Sequence, residues 1–418
     1  MIFIGNPHLV DHGNVIHLES QVVDEKAGIK GNCYFSADQE YGDFLCTETA
    51  DAFVLGLLLP ALQSNQDIVV DGQLSERLYY NLSNFVINVL AKAFGYQEIK
   101  IKPSQRTVLQ HNPQAVGTGC SLGVDSFSSI LKHTAEDCPP SFKLTHLAYF
   151  NVGAHGEKNS ADSREAYFRD LGKVREFAKV IDLPVVAMES NLPFFYTNYS
   201  YNFNQTHVLR NMSMVLAMQK LFKRYIYSSG YPATEIHLSG IDPTYMETML
   251  LPAISTENTE LITGDPALSR SAKAKIICDD KLVQKYLYVC CRDLVLNNEM
   301  YSGPWANVKS GSKRNCSRCD KCLRTLLIFD ALNKIDLYTD IFDPPPSSTL
   351  RTLYMAKVLG LKKRSYVFQD LYQFAVAEKY PIRLSARILS LIFRFRLNEL
   401  FYRIAGVLRN KPRIKTNT

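Results

Sequence analysis

The apolar positions of this chain fall into three regimes. From residue 106 to about 340, short apolar runs alternate with stretches of helical spacing, the pattern of a parallel sheet covered by helices on both faces. A short strand starting at Ala115 leads through a glycine-rich turn into a helix whose Phe127, Ile130 and Leu131 share one face. A second strand is predicted over residues 143–153, and a helix over 164–180 buries Leu171, Val174, Phe177 and Ala178. A third strand over 183–188, a helix over 208–227 and a fourth strand over 235–240 complete the series. Ahead of it, alternation over 14–23 and 98–102 and helical spacing over 50–62 and 78–94 describe an α+β unit. Behind it, Asp343-Pro-Pro-Pro-Ser-Ser348 reads as a linker before a tail rich in Leu, Ile, Phe and Arg. The predicted fold class is α/β: a parallel doubly wound sheet in a core domain, 106–340. An N-terminal α+β domain, 1–105, precedes it, and a linker with a basic helical C-terminal region, 341–418, follows.

Charge separates the tail from the body. From Pro344 onward there are fifteen Lys/Arg against three Asp/Glu, a charge of +12, so the net +6 leaves −6 on residues 1–343. A basic tail on an acidic body points to RNA, an anionic membrane surface or an acidic partner. Over residues 382–408, Arg383, Arg387 and Arg394 share a helical face while Arg396 and Arg403 fall opposite. Two short helices packed on the body fit that wheel better than one interfacial helix. The N-terminus lacks the basic and apolar regions of a signal peptide, and the apolar run at 52–62 is too short to span a bilayer and contains Pro60. A cytoplasmic location is expected, and in that compartment clustered cysteines favour a metal over disulfides.

Two stretches carry chemistry. In Ser121-Leu-Gly-Val-Asp-Ser126 a turn becomes a helix, and a helix N-terminus presents N–H groups and the positive end of the dipole to phosphate. Ligands of doubly wound sheets lie beyond the C-terminal strand ends, so Asn151 and Gly153, Glu189 and Ser190, and Ser239 and Gly240 are expected to face this loop. A helix capped by Ser269 would set the cations Arg270 and Lys273 at i and i+3. The second stretch, Asn315-Cys-Ser-Arg-Cys-Asp-Lys-Cys-Leu-Arg324, is C-x2-C-x2-C. Cys316, Cys319 and Cys322 can fold around one Zn2+, and Cys290 or Cys291 supplies a fourth ligand across a long loop. Iron–sulfur ligation is the alternative chemistry for such a set. The remaining cysteines, 33, 46, 120, 138 and 278, are scattered and read as small core residues.

The loop resembles the S-G-G-x-D-S pyrophosphate loop (PP-loop) of the ATP pyrophosphatase superfamily. Leu122 replaces the first of the two glycines, where a side chain crowds the β/γ-phosphates. Followed by the cysteines, it is similar to 7-cyano-7-deazaguanine synthase and its relatives over residues 115–335. The family's strand-end turn stands here as Phe150-Asn-Val-Gly153, its Arg-Asn as Arg210-Asn211, its Lys-Ala-x-Ile-Ile as Lys273 to Ile277, and its first zinc cysteine as Cys290. The longer spacer between that cysteine and the cluster, and the extra flanking regions, mark a divergent relative.

The resemblance implies a HUP/PP-loop core that adenylates a carboxylate or amide oxygen with ATP, releasing pyrophosphate, before a nitrogen or sulfur nucleophile displaces AMP. Asp125, Lys273 and Arg210 are the expected catalytic residues. Ser121, Gly123, Asp125, Ser126, Asn151, Gly153 and Arg270 would bind the nucleotide, with Mg2+ on Asp125. Cys290, Cys316, Cys319 and Cys322 would bind Zn2+. The expected partner is a small-molecule substrate. The alternatives are a tRNA-modifying enzyme such as a thiolase, and a non-catalytic nucleotide-binding regulator in which Leu122 marks decay.

Overall fold

The computed structural model describes residues 1–155, 161–290, 313–344 and 347–395. The described chain divides into two units. The first takes Met1–Ser121 and Asp125–Leu268, and the second takes Leu122–Val124 and the described residues from Ser269 onward.

The first unit is built on one mixed sheet of eleven strands. They are β1 (Ile2–Ile4), β2 (His8–Asp11), β3 (Val15–Asp24), β4 (Ile29–Asp38), β5 (Ile68–Ser75), β6 (Ile101–Thr107), β7 (Ala115–Gly119), β8 (His146–Asn151), β9 (Val185–Ser190), β10 (Phe222–Ser228) and β11 (Glu260–Gly264). Their order is β11-β10-β7-β8-β9-β4-β3-β1-β5-β6, with β2 on β3. The run from β11 to β9 is parallel throughout. Beyond it β4 joins β9 antiparallel, and β3 pairs antiparallel with β4, β1 and β2.

The boundary expected near residue 105 falls between β6 and β7, and the strands on both sides of it belong to this one sheet. The join is a ladder of Phe35, Ser36 and Ala37 against Ser190, Glu189 and Met188. Side chains reinforce it: the Ser190 hydroxyl donates to the Tyr34 carbonyl at 2.6 Å, and Asn191 Oδ1 accepts from the Tyr34 N–H at 2.8 Å. Local periodicity cannot reveal a pairing across some 150 residues of chain, because both strands alternate in the same way whether paired or not.

Helices cover both faces of the parallel run, as its apolar strands require. On one face, helix Asp51–Ser64 is buried almost all round and packs against helix Phe203–Ala217, with Phe53 edge-on to Phe35 at 5.0 Å. On the other, helix Ala161–Val180 stacks Tyr167 on Tyr149 of β8 at 5.4 Å, and its Phe177 meets Phe127 of helix Val124–Thr134 at 5.1 Å. A buried carboxylate pins the first face: Asp51 accepts from the Ser75 N–H at 2.9 Å, the Thr49 hydroxyl at 2.7 Å, Gln219 Nε2 at 2.9 Å and the Ser75 hydroxyl.

Two expectations are corrected. The helix expected over 208–227 is helix Phe203–Ala217, opened by an Asn202–Gln205 capping box, and Phe222–Ser228 is strand β10. Met218, Leu221, Phe222 and Tyr225 keep a helical interval across a turn that contains neither Gly nor Pro, which hides the break. Residues 235–240 form no strand: a short 3-10 turn, Ala233–Glu235, leads into chain whose Ile236 and Leu238 are about half exposed. That alternation has no sheet to bury one face against. Ser239 and Gly240 are therefore not a strand end. The Gly240 carbonyl accepts from Gln205 Nε2 at 2.9 Å.

The second unit is helical. It contains Arg270–Ile277, Lys281–Tyr286, Asp320–Ala331, Ser348–Leu361, Tyr366–Ala377 and Leu384–Arg394. Of the expected tail helices, the part beyond residue 395 lies outside the described residues, as do Pro345 and Pro346 of the expected linker. No helix among the described residues is long and apolar enough to cross a membrane.

Candidate functional site

Four cysteines converge in the second unit. Cys290, Cys316, Cys319 and Cys322 are all buried, with their sulfur atoms within 4.8 Å of one another. The Cys316–Cys322 sulfur separation is 3.9 Å, far beyond a disulfide bond of about 2.05 Å and near the edge of a tetrahedron built on metal–sulfur bonds of about 2.3 Å. Such a set could hold a metal ion such as zinc. Cys291, the other candidate for the fourth ligand, lies outside the described residues.

Local sequence makes the cradle. Ser317 takes a left-handed backbone (φ 54°), which turns the chain so that the Cys319 N–H donates to Cys316 Sγ at 3.3 Å. Cys319 then stands at the N-terminal boundary of helix Asp320–Ala331, placing Cys319 and Cys322 at its positive end, which favours thiolates. The thiols act on one another: the bond to Cys290 lowers Cys316 to about 7, while the same contact pushes Cys290 up, and burial pushes Cys322 up. Four thiolates cannot share this volume without a cation, so the donor set fits a divalent ion.

Asn315 is a site residue that sequence reasoning passed over. Fully buried, its Oδ1 accepts from the Val289 and Cys290 N–H groups at 2.8 and 3.2 Å, and its Nδ2 donates to the Leu287 and Ile341 carbonyls at 2.9 and 3.2 Å. It thereby fixes the distant cysteine beside the cluster. The only signal was its position directly before Cys316.

The residues of the Ser121–Ser126 turn fall as follows. Strand β7 ends at Gly119, and Ser126 fastens the turn: its hydroxyl donates to the Gly119 carbonyl at 2.9 Å and accepts from the Ser121 N–H at 3.2 Å. Ser121 is exposed and Asp125 is half-buried in the first turn of the helix. Leu122 has φ 57°, is 1 % exposed, and accepts at its carbonyl from the Tyr288 N–H at 2.8 Å within the second unit. Residues β-branched or bulky at the γ-carbon rarely take this left-handed conformation, whereas glycine takes it freely.

At the end of β8, Asn151 donates to Glu189 at 3.0 Å, and Arg164 grips the same carboxylate with two bonds, at 2.9 and 3.1 Å. Gly153 has φ 115°, and a β-carbon there would come within 2.5 Å of Arg210 Nη1. Arg210 is fully buried, its guanidinium 3.9 Å from the centre of the Tyr196 ring. The first unit thus brings Ser121 to Ser126 and Arg210 to Gly153. Arg270 and Lys273 stand in the second unit, on the helix capped by Ser269 as the spacing predicts, with the Ser269 hydroxyl accepting from the Ala272 N–H at 3.3 Å. Lys273 is buried. A further unforeseen residue, Asp265 after β11, accepts from Ser128 at 2.6 Å and Lys132 at 2.7 Å, holding the loop helix in place.

The strand order supplies the last element. From β7 the chain steps outward to β8 and β9, then returns to the other side of β7 for β10 and β11. The direction of winding reverses at β7, and in open α/β sheets ligands bind in the crevice at such a reversal. Comparison with protein-family models, curated proteins and solved structures returns no match. The fold and site define an α/β protein with a strand–turn–helix junction at a topological switch point and four buried cysteines that could hold a metal ion.

Proposed function

We propose that this protein is an ATP-dependent adenylating enzyme of the PP-loop type. The observation that carries the reading is the position of the Ser121–Ser126 loop directly after β7, where the winding reverses. The left-handed backbone at Leu122 supports it, because the residue keeps the turn that a glycine would make while its side chain is packed away from solvent.

In this reading an acceptor carboxylate or amide oxygen attacks the α-phosphorus of ATP, the bond to the β-phosphate oxygen breaks, and pyrophosphate departs. A nitrogen or sulfur nucleophile then displaces AMP. Ser126 shapes the loop. Ser121, Gly123 and the helix dipole line the pyrophosphate, and Asp125 would hold Mg2+, which offsets phosphate charge. Arg210 would supply positive charge that a departing pyrophosphate requires. Zn2+ bound to the four cysteines would be structural, since four thiolates leave no open position.

The test is pyrophosphate release from Mg-ATP across carboxylate and amide acceptors, with calorimetry of ATP binding. Asp125→Ala should abolish release and leave zinc content unchanged. ATP binding without release for any acceptor would favour a nucleotide-binding regulator, and co-purifying RNA a tRNA-modifying enzyme. No ATP binding by the parent or by Leu122→Gly would refute the nucleotide reading.

A further inference from the structure

A second cluster of metal-ligand side chains lies on the first unit, and the nucleotide reading makes no use of it. His17 and Glu19 are two apart on β3 and so project from one face of the sheet. The β2–β3 hairpin folds His12 back over that face, closed by the His12 N–H donating to the Val15 carbonyl at 3.0 Å. His17 Nδ1 stands 3.1 Å from Glu19 Oε1, and His12 Nε2 stands 3.6 Å from the same oxygen. The three ligand atoms lie within 4.8 Å of one another.

These separations match a metal polyhedron. Bonds of about 2.0–2.1 Å to nitrogen and oxygen place tetrahedral ligands about 3.4 Å apart. Supporting contacts orient each ligand, as is usual around metals. Asn32 Nδ2 donates to Glu19 Oε2 at 2.9 Å, turning Oε1 toward the two imidazoles. Tyr34, opposite Glu19 on β4, stacks on the His17 ring at 4.3 Å. An ordinary ion pair on Glu19 needs one histidine. Here two converge on a single oxygen whose companion is already engaged.

We propose that His12, His17 and Glu19 bind a divalent first-row transition ion, leaving at least one coordination position open. Two imidazoles and a carboxylate suit Zn2+ or Fe2+, and three protein ligands characterise reactive rather than structural sites. The His12 side chain is 46 % exposed, so the ion is reachable from solvent. His17 also lines a cleft of about 190 Å³ with Tyr34, Ser36, Arg164 and Glu189, where a small anionic or hydroxylated ligand would meet both the ion and a guanidinium.

Zn2+ is the probe. Full-length protein dialysed against micromolar Zn2+ is assayed by elemental analysis and by Zn2+ calorimetry with the cysteine centre already filled. His12→Ala alters an exposed side chain, and Glu19→Gln keeps the shape of the carboxylate, so both should retain the parent circular dichroism. The expected result is a zinc content one equivalent lower in each variant than in the parent, and loss of the calorimetric transition. Asn32→Ala should bind about 10–100-fold more weakly. Equal zinc in parent and both variants overturns the proposal, as does parental binding only at millimolar Zn2+, the behaviour of casual surface histidines. His12→Ala and Glu19→Gln leave the four cysteines intact, so any zinc at that cluster should persist in both variants and the two centres fail separately.

Discussion

The backbone at Leu122 offers the sharpest test of the loop. Two substitutions separate its side chain from its conformation. Leu122→Ala removes a side chain that is 1 % exposed and should destabilise by about 2–5 kcal/mol. It keeps the left-handed strain, which for a residue with a β-carbon is roughly 1–2 kcal/mol. Leu122→Gly removes the same side chain and relieves that strain, at the expense of backbone entropy of roughly 0.5–1 kcal/mol. The glycine variant should therefore be the more stable of the two by about 0.5–1 kcal/mol, although both fall below the parent. With a urea dependence of about 2 kcal/mol per molar, the midpoints should differ by about 0.3–0.5 M. Leu122 groups with the unit that holds the cysteine cluster, so exposure of the four buried cysteine thiols to a colorimetric thiol reagent reports the relevant transition. An alanine variant equal to or more stable than the glycine variant would refute the left-handed geometry at 122, and with it the argument that this leucine does a glycine's work.

Other perturbations give distinct outcomes. Cys319→Ser should lose the cysteine-bound zinc and misfold the second unit, because structural zinc binding of about 10–16 kcal/mol is folding energy; soluble, folded, zinc-replete variant by elemental analysis would contradict this. Asn315→Ala should weaken zinc about 10–100-fold in competition with a chelator, and unchanged affinity would remove its role in orienting Cys290. His155 is held to about 4, below its ordinary 6.5, mainly by burial, so between those values the unfolded chain takes a proton that the folded one does not. Stability should fall with acidification across that window by up to about 1.4 kcal/mol per pH unit, and His155→Phe should flatten the slope seen in thermal melts.

Much of the site was legible because its signals are local. The strand, turn and helix around Ser121–Ser126, the Ser269 cap and the spacing of Cys316, Cys319 and Cys322 depend only on residues a few positions apart, and each is found where spacing places it. What stayed hidden is non-local or depends on burial. The β4–β9 ladder joins segments far apart in the chain, and nothing in either segment names the other. Strand β10 carried helical spacing by coincidence, and residues 235–240 alternate beside no partner strand. The sheet face shared by His17, Glu19 and Tyr34 emerges only from the registers of β3 with β2 and β4.

Within the second unit, Leu122 and the cysteine cluster are linked through backbone rather than through chemistry. The Leu122 carbonyl takes its hydrogen bond from Tyr288, two residues before Cys290, and Asn315 clamps Val289 and Cys290 to the cysteine cluster. A closed four-thiolate ion has no position for substrate, so its contribution would lie in holding that segment still. A left-handed leucine needs such support, since its strain persists only where neighbours over-determine the conformation. On this account a bound metal would act on Leu122 by fixing the donor that its carbonyl accepts from. The reason a bulky residue can stand in the turn is then the rigidity of the segment beside it, which a flexible segment could not supply.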